Sequence, residues 1–212
     1  KEAQLGALQA QINPHFLYNT LDLLYWKASM SGQEEISNHI YSMSKLFRLS
    51  LNKGEMWLTL EQEKEFLTHY LNLQKALMSE KLDYCISVEE FLLQTKIPRF
   101  LFQPFVENAI LHGFKKITAV PKLTIFFQSQ KKDLLVFICD NGCGMDQEKA
   151  NMIFSGINEE SADTKENYAI CNVLKRMELY FGENFSLTVK SEISKGTKIK
   201  LCVRDYLEQS SK

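Results

Sequence analysis

Leu5, Leu8, Ile12, Phe16, Leu17, Leu21, Leu24 and Ala28 follow one another at three- and four-residue steps. That is the spacing of one face of an amphipathic helix. Ser31-Gly32-Gln33 makes a turn, and Ile36, Ile40, Met43, Phe47 and Leu51 repeat the helical step up to Asn52-Lys53-Gly54. Two helices of similar length and a short connection predict an antiparallel hairpin. A lone hairpin cannot cover both apolar stripes, so it needs a partner. Self-association into a four-helix bundle is the simplest one. Thr59-Leu60-Glu61-Gln62 has capping-box spacing and opens a third helix carrying Phe66, Tyr70, Leu73 and Leu77.

The period then changes. Tyr84, Ile86 and Val88 alternate with Cys85 and Ser87, as in a half-buried strand, and Leu123, Ile125 and Phe127 alternate again. Between them, a helical stretch follows Pro98, is broken near Pro104 and ends near Gly113. Leu134 to Cys139 is an unbroken apolar run of strand length, which predicts a central strand. Ser155 to Asn167 is polar and aperiodic, the composition of a mobile loop. A helix follows with Ile170, Val173, Leu174, Met177 and Phe181 on one face and Gly182 as its C-cap. Ser186–Ser191 and Thr197–Val203 predict two closing strands with Lys195-Gly196 at their turn. The fold class expected is α+β. Residues 1–80 form the helical part and 81–212 the mixed part, with the boundary near 78–83.

Composition narrows the classes. With 45% hydrophobic residues the chain can pack a core, and a formal charge of −1 gives no reason to expect a nucleic-acid or anionic-membrane partner. Five scattered cysteines without a CxxC pair suit a reducing compartment better than a disulfide framework. Cys139 and Cys143 are four apart, and no matching pair makes them a zinc site. No apolar run reaches the ~18–20 residues of a membrane span. The chain opens in mid-pattern at Lys1-Glu2-Ala3 without an initiator Met, as expected of a piece of a longer protein.

Four stretches can carry chemistry. His15, in Asn13-Pro14-His15-Phe16, sits beside the first apolar stripe with Asn19 one turn on. On these residues alone it reads more readily as a boundary histidine than as a displayed, reactive imidazole. Asn108 and His112 lie one helical turn apart in Glu107-Asn108-Ala109-Ile110-Leu111-His112-Gly113. A buried Asn needs a partner, and its amide oxygen suits a hydrated Mg²⁺; an internally satisfied Asn reads as well. Asp140 ends the central strand, with Gly142 and Gly144 after it. The pair permits close approach of a flat ligand, and an ordinary strand-to-helix turn equally. Gly196-Thr197 alone is a hairpin turn.

In order and spacing the last three resemble the N box, G1 box and final glycine box of the GHKL superfamily. Asn13-Pro14-His15-Phe16-Leu17-Tyr18-Asn19-Thr20-Leu21 and Phe102-Gln103-Pro104-Phe105-Val106-Glu107-Asn108 narrow this to a resemblance to the LytS/YesM-type bacterial sensor histidine kinases. The resemblance implies a Bergerat-type α/β sandwich with a mixed sheet behind a dimerising hairpin. It implies ATP and Mg²⁺ as cofactors and His15 as phosphoacceptor, with Asn19 or a carboxylate of the other domain holding its tautomer. Asn108 would coordinate Mg²⁺ and Asp140 would read the adenine amino group. His112, Gly142, Gly144, Asn172, Arg176, Gly196 and Thr197 would complete the nucleotide site. The implied setting is a homodimer in the cytoplasmic domain of a bacterial inner-membrane protein, anchored through an N-terminal part absent from this chain. The implied partner is a response regulator, often of AraC type, with no direct contact to nucleic acid.

The chain departs from that pattern twice. Asn167-Tyr168-Ala169-Ile170 stands where the family shows Gly-x-Gly-Leu, and Leu77-Met78 where it shows Arg-Phe. Left-handed backbone is accessible to Asn but strained for Ala. The departures support an alternative: a nucleotide-weak pseudokinase acting as dimeric scaffold or phosphatase-biased partner of the regulator. A gyrase- or chaperone-like ATPase would not need the His15 hairpin.

Overall fold

The computed structural model describes residues 14–50, 56–115, 117–155 and 165–209. Two helices, α1 (Pro14–Met30) and α2 (Glu34–Ser50), form the hairpin. Strand β1 (Trp57–Thr59) leads into α3 (Leu60–Leu77). The capping box at its start is complete: Gln62 N–H donates to Thr59 Oγ1 at 3.2 Å and Thr59 N–H to Gln62 Oε1 at 2.9 Å.

Beyond it lie β2 (Asp83–Val88), β3 (Lys96–Pro98), α4 (Gln103–Asn108), β4 (Lys122–Gln130) and β5 (Asp133–Asp140). They are followed by α5 (Gln147–Phe154), α6 (Lys165–Phe181), β6 (Phe185–Glu192), β7 (Gly196–Val203) and α7 (Tyr206–Gln209). The main sheet has the order β2-β4-β5-β7-β6. Only β2 and β4 run parallel, so the sheet is mixed and β5 is its centre. β1 and β3 pair separately, Leu58 opposite Ile97.

Alternation decides what the sheet buries. Leu123, Ile125 and Phe127 of β4, Val136 and Ile138 of β5, and Ile199 and Leu201 of β7 meet Phe102, Phe105 and Val106 of the α4 region and Val173, Leu174 and Met177 of α6. The unbroken apolar run of β5 has a second cause. On the other face Phe137 stacks on Phe126 at 4.6 Å and Lys200 Nζ lies 5.7 Å from its centroid, so both faces are covered.

Two predicted helical faces are displaced. In α3 the fully buried residues are Leu60, Glu63, Leu67 and Leu71 beside Phe66, while Leu77 is exposed. The helix packs on the sheet core with one side and on α2 with another, where Lys45 Nζ meets Glu65 Oε1 at 2.9 Å and His69 Nδ1 lies 3.2 Å from Ser42 Oγ. Two buried sides blur a single stripe. In α2 the buried residues are Ser37, Ser42 and Ser44, and Ile36 and Met43 face out. α1 buries only Leu21, leaving Phe16 (70%), Trp26 (61%) and Met30 (85%) exposed. Leu51 lies outside the described residues, as do Pro14's neighbours in residues 1–13. So does most of the expected loop, at 156–164; residues 165–167 are helical.

Candidate functional site

Asp140 ends β5 at the centre of the sheet, where β4 and β7 flank it. Its carboxylate is held from two sides. Gly142 N–H donates to Oδ1 at 2.8 Å and Thr197 N–H to the same atom at 3.3 Å. Burial pushes the pKa of Asp140 up from its ordinary value, and the two N–H donors hold that rise back. The result is a fixed, partly desolvated acceptor at the sheet edge.

Chain segments crowd this carboxylate so closely that side chains are excluded. A Cβ on Gly142 would stand 2.6 Å from Gly113 O and 2.7 Å from Asp140 Oδ1. A Cβ on Gly196 would run into the carbonyl oxygen of Asp140, and its φ of +92° lies in the left-handed region. Gly144 lies against the Glu192 carbonyl. The Cys143 N–H donates to Gly113 O at 2.7 Å, which ties the segment after Asp140 to the one after Asn108.

That second tie depends on a change of helical pitch. α4 stops at Asn108, and Ala109–Gly113 forms one turn of π-helix closed by Phe114 N–H to Ala109 O at 3.0 Å. Such turns are rare and concentrate at functional sites. The wider turn leaves the carbonyls of His112 and Gly113 facing Cys143, whose Sγ and N–H meet them at 3.5 and 2.7 Å. Asn108 is half-buried, and its side chain has no hydrogen-bond partner among the described residues. His112 is half-buried.

The expected residues therefore fall into groups. Asp140, Gly142, Gly196 and Thr197 converge on one carboxylate, and Gly144 lies beside them. Asn108 and His112 flank the π-turn joined to them. Asn172 is exposed on α6. Arg176, one turn on, donates through Nη2 to the Arg99 carbonyl at 2.6 Å. His15 and Asn19 are exposed in the first turns of α1. Gly113 and Ser191 were not expected. Ser191 Oγ accepts the Met145 N–H at 2.9 Å and lies 3.0 Å from Thr197 Oγ1, bracing both glycine segments. Gly113 stood within the Asn108 motif; nothing in the pattern pointed to Ser191.

The glycine-poor segment also has an account. α6 begins at Lys165, so Asn167, Tyr168 and Ala169 are helical and none has positive φ. The backbone there needs no glycine, and the first turn of a 17-residue helix follows residue 164 directly.

A family model described as histidine kinase matches residues 3–82. Sensor histidine kinase YesM of Bacillus subtilis (strain 168) is 33% identical over 203 residues, which cover 96% of this chain and 33% of YesM. Sensor protein LytS of the same organism is 29% identical over 206 residues, covering 96% of this chain and 34% of LytS. The chain thus spans about a third of the length of the curated relatives it matches. A solved bacterial phosphotransferase, 12% identical, shares its fold at a TM-score of 0.53 over 95% of this chain and 97% of that one. Motifs that meet around one carboxylate, in a chain similar to these kinases through both hairpin and sheet, identify it as a member of the LytS/YesM-type sensor histidine kinases.

Proposed function

We propose that the chain is the ATP-dependent histidine kinase part of a two-component system. It would phosphorylate His15 and pass the phosphoryl group to an aspartate of a response regulator. The observation that carries this is the cradle at Asp140: a buried carboxylate fixed by two N–H donors and enclosed by glycines whose close backbone contacts hold it in place. The half-buried Asn108 amide, with no partner among the described residues, fits a hard cation that takes oxygen ligands.

Each residue then has a task. Asp140 accepts from the adenine amino group, Gly142 and Gly144 let the base lie against backbone, and Gly196 and Thr197 hold Asp140 in place. Asn108 holds Mg²⁺ through its amide oxygen, and His112, Asn172 and the N-terminus of α6 face the phosphates. When bound, Mg-ATP supplies the γ-phosphoryl group and neutralises its charge. His15, a neutral imidazole near pH 7, attacks with one ring nitrogen while Asn19 or a carboxylate of the other domain holds the second. ADP leaves, and the phosphoimidazole is the donor to the regulator, for which an AraC-type output fits the resemblance.

Two hairpins pair in the active homodimer, covering the apolar side of α1. Residues 1–80 carry dimerisation and phosphotransfer, and 81–212 carry nucleotide binding. α3 is the shared element, packed on α2 and on the sheet core. No described helix is long and apolar enough to cross a membrane. In this reading the chain works on the cytoplasmic side, tethered by a sensor part outside it.

The test is labelling with ATP radioactive at the γ position in the presence of Mg²⁺. An acid-labile, base-stable label is expected, absent in His15→Gln and lost in Asn108→Ala. Label persisting in His15→Gln would sink the phosphoacceptor assignment, and failure of the unmodified chain to bind nucleotide would sink the kinase reading.

A further inference from the structure

Four elements meet at Arg99, a residue outside the motifs. It follows β3 and is 8% exposed. Its side chain reaches the hairpin: Nη2 donates to the carbonyl oxygen of Leu49 in the last turn of α2. Its guanidinium carbon lies 4.8 Å from the centre of the Phe100 ring. Its backbone carbonyl serves the other side and accepts the Arg176 Nη2 of α6 at 2.6 Å. Glu63 of α3 brings a carboxylate into the same interior. That side chain is fully buried, and neither oxygen has a hydrogen-bond partner among the described residues.

The last carbonyls of a helix have no partner within it, and a cation that caps them is favoured by the helix dipole as well. The end of α2 therefore has a natural use for an arginine. Burying that arginine is costly, however, and a well-packed apolar pair would serve stability as well or better. What an apolar side chain cannot do is hold α2 by its end, while the backbone carbonyl of the same residue holds α6. Phe100, directly after Arg99, has a φ of +56°, unusual for a residue with a side chain. The chain turns there and runs into α4, which ends on Asn108. A displacement of the hairpin at Leu49 thus reaches the Asn108 helix and α6 through one residue.

We propose that Arg99 is a positioning residue that clasps the His15 hairpin to the nucleotide-binding half, gripping the end of α2 with its guanidinium and α6 with its carbonyl. The clasp sets how the hairpin is presented to the nucleotide site. Its effect on phosphorylation rests on the kinase reading above; its effect on the contacts does not.

The experiment compares Arg99→Met with the unmodified chain in two ways. In hydrogen–deuterium exchange, amides of the last turn of α2 should exchange at least tenfold faster, with α6, which keeps the backbone carbonyl, and β4 and β5 as protected as before. With Mg-ATP, nucleotide Kd should stay within about threefold while the rate of His15 labelling at saturation falls at least tenfold. A uniform rise in exchange that includes β4 and β5 would overturn the proposal, because it marks an ordinary stability contact. Unchanged exchange in the last turn of α2, or an unchanged labelling rate with intact nucleotide binding, would overturn it too. If the unmodified chain fails to bind nucleotide, the kinase reading falls and the exchange pattern still decides the clasp. If Arg99→Met does not fold, Arg99→Lys, which keeps the charge beside Glu63 and loses the fork, is judged by the same pattern. At least threefold faster exchange confined to the last turn of α2 is expected there, and unmodified exchange at that turn would overturn the proposal.

Discussion

Gly196 presses its α-carbon against the backbone of Asp140, so that the first residue of β7 and the last of β5 leave no room for a Cβ between them. The next residue, Thr197, donates its N–H to the carboxylate of the same aspartate. One glycine thus sets both where the Asp140 main chain lies and which donor meets its side chain. Gly196→Ala puts a methyl group into the Asp140 carbonyl and forces a side chain to hold a φ of +92°. Strain of that kind costs about 1–3 kcal/mol before any clash. The melting temperature should fall by about 2–12 °C, taking 2–4 °C for each kcal/mol. Nucleotide binding should be lost more completely than stability, and calorimetry beside a fluorescent-nucleotide titration measures both.

Asp140→Asn tests the acceptor alone. The amide is nearly the same size and loses the charge, so the fold should survive. A hydrogen bond to a charged group is worth about 1.5–3 kcal/mol, which predicts a Kd weaker by roughly ten- to a hundredfold. The unmodified chain adds a pH signature. Burial raises the Asp140 pKa, so its carboxylate takes up a proton at a higher pH than an exposed aspartate does. Affinity present at neutral pH should fall on acidification through that raised value, and the difference from the Asp140→Asn profile isolates it.

Much of this was legible because it is periodic. β2, β4, β5, β6 and β7 follow from alternation or from the unbroken run at Leu134–Cys139, and Thr59 and Gln62 mark the start of α3 by chemistry that acts within one turn. What was not legible depends on contacts distant in sequence. β1 and β3 are three residues each and exist because they pair across 41 positions, Trp57 with Pro98. The inward residues of α2 are serines, because they face α1 and α3 at close range while its apolar stripe looks outward. At the site, Asp140, Gly142 and Gly196 stood out by residue type. Ser191 and Arg99 did not, since a serine in a strand and an arginine after one carry no local signal.

The outward apolar side of α1 makes a prediction about assembly. Leu23, Trp26 and Met30 are exposed on the described chain, far more apolar surface than a helix leaves to water without a partner. Leu23→Glu with Trp26→Glu places charge on that side without touching the buried Leu21. Sedimentation should show a dimer for the unmodified chain and a monomer for the variant, with circular dichroism unchanged. The variant should bind nucleotide with an unaltered Kd, because the Asp140 cradle is built within one chain.

Glu63 gives a pH dependence whose sign runs against the usual one for a carboxylate. Burial drives its pKa from 4.5 to about 7, and the charge of Arg99 offsets only part of that rise. Below pH 4.5 the side chain is protonated folded or unfolded and contributes no slope. Between 4.5 and about 7 the unfolded chain has released the proton and the folded chain still holds it, so folding takes up a proton and stability falls as pH rises. Above about 7 both are ionised and the penalty is constant. At 1.36 kcal/mol per unit the full loss is on the order of 3 kcal/mol. Glu63→Gln cannot ionise, so it should remove this component. Urea unfolding of the two chains at pH 5 and pH 8 should show the unmodified chain losing stability relative to the variant by roughly that amount. A difference that stays constant across the range, or grows toward acid, would mean that Glu63 is ionised in the folded chain and paired with Arg99 throughout.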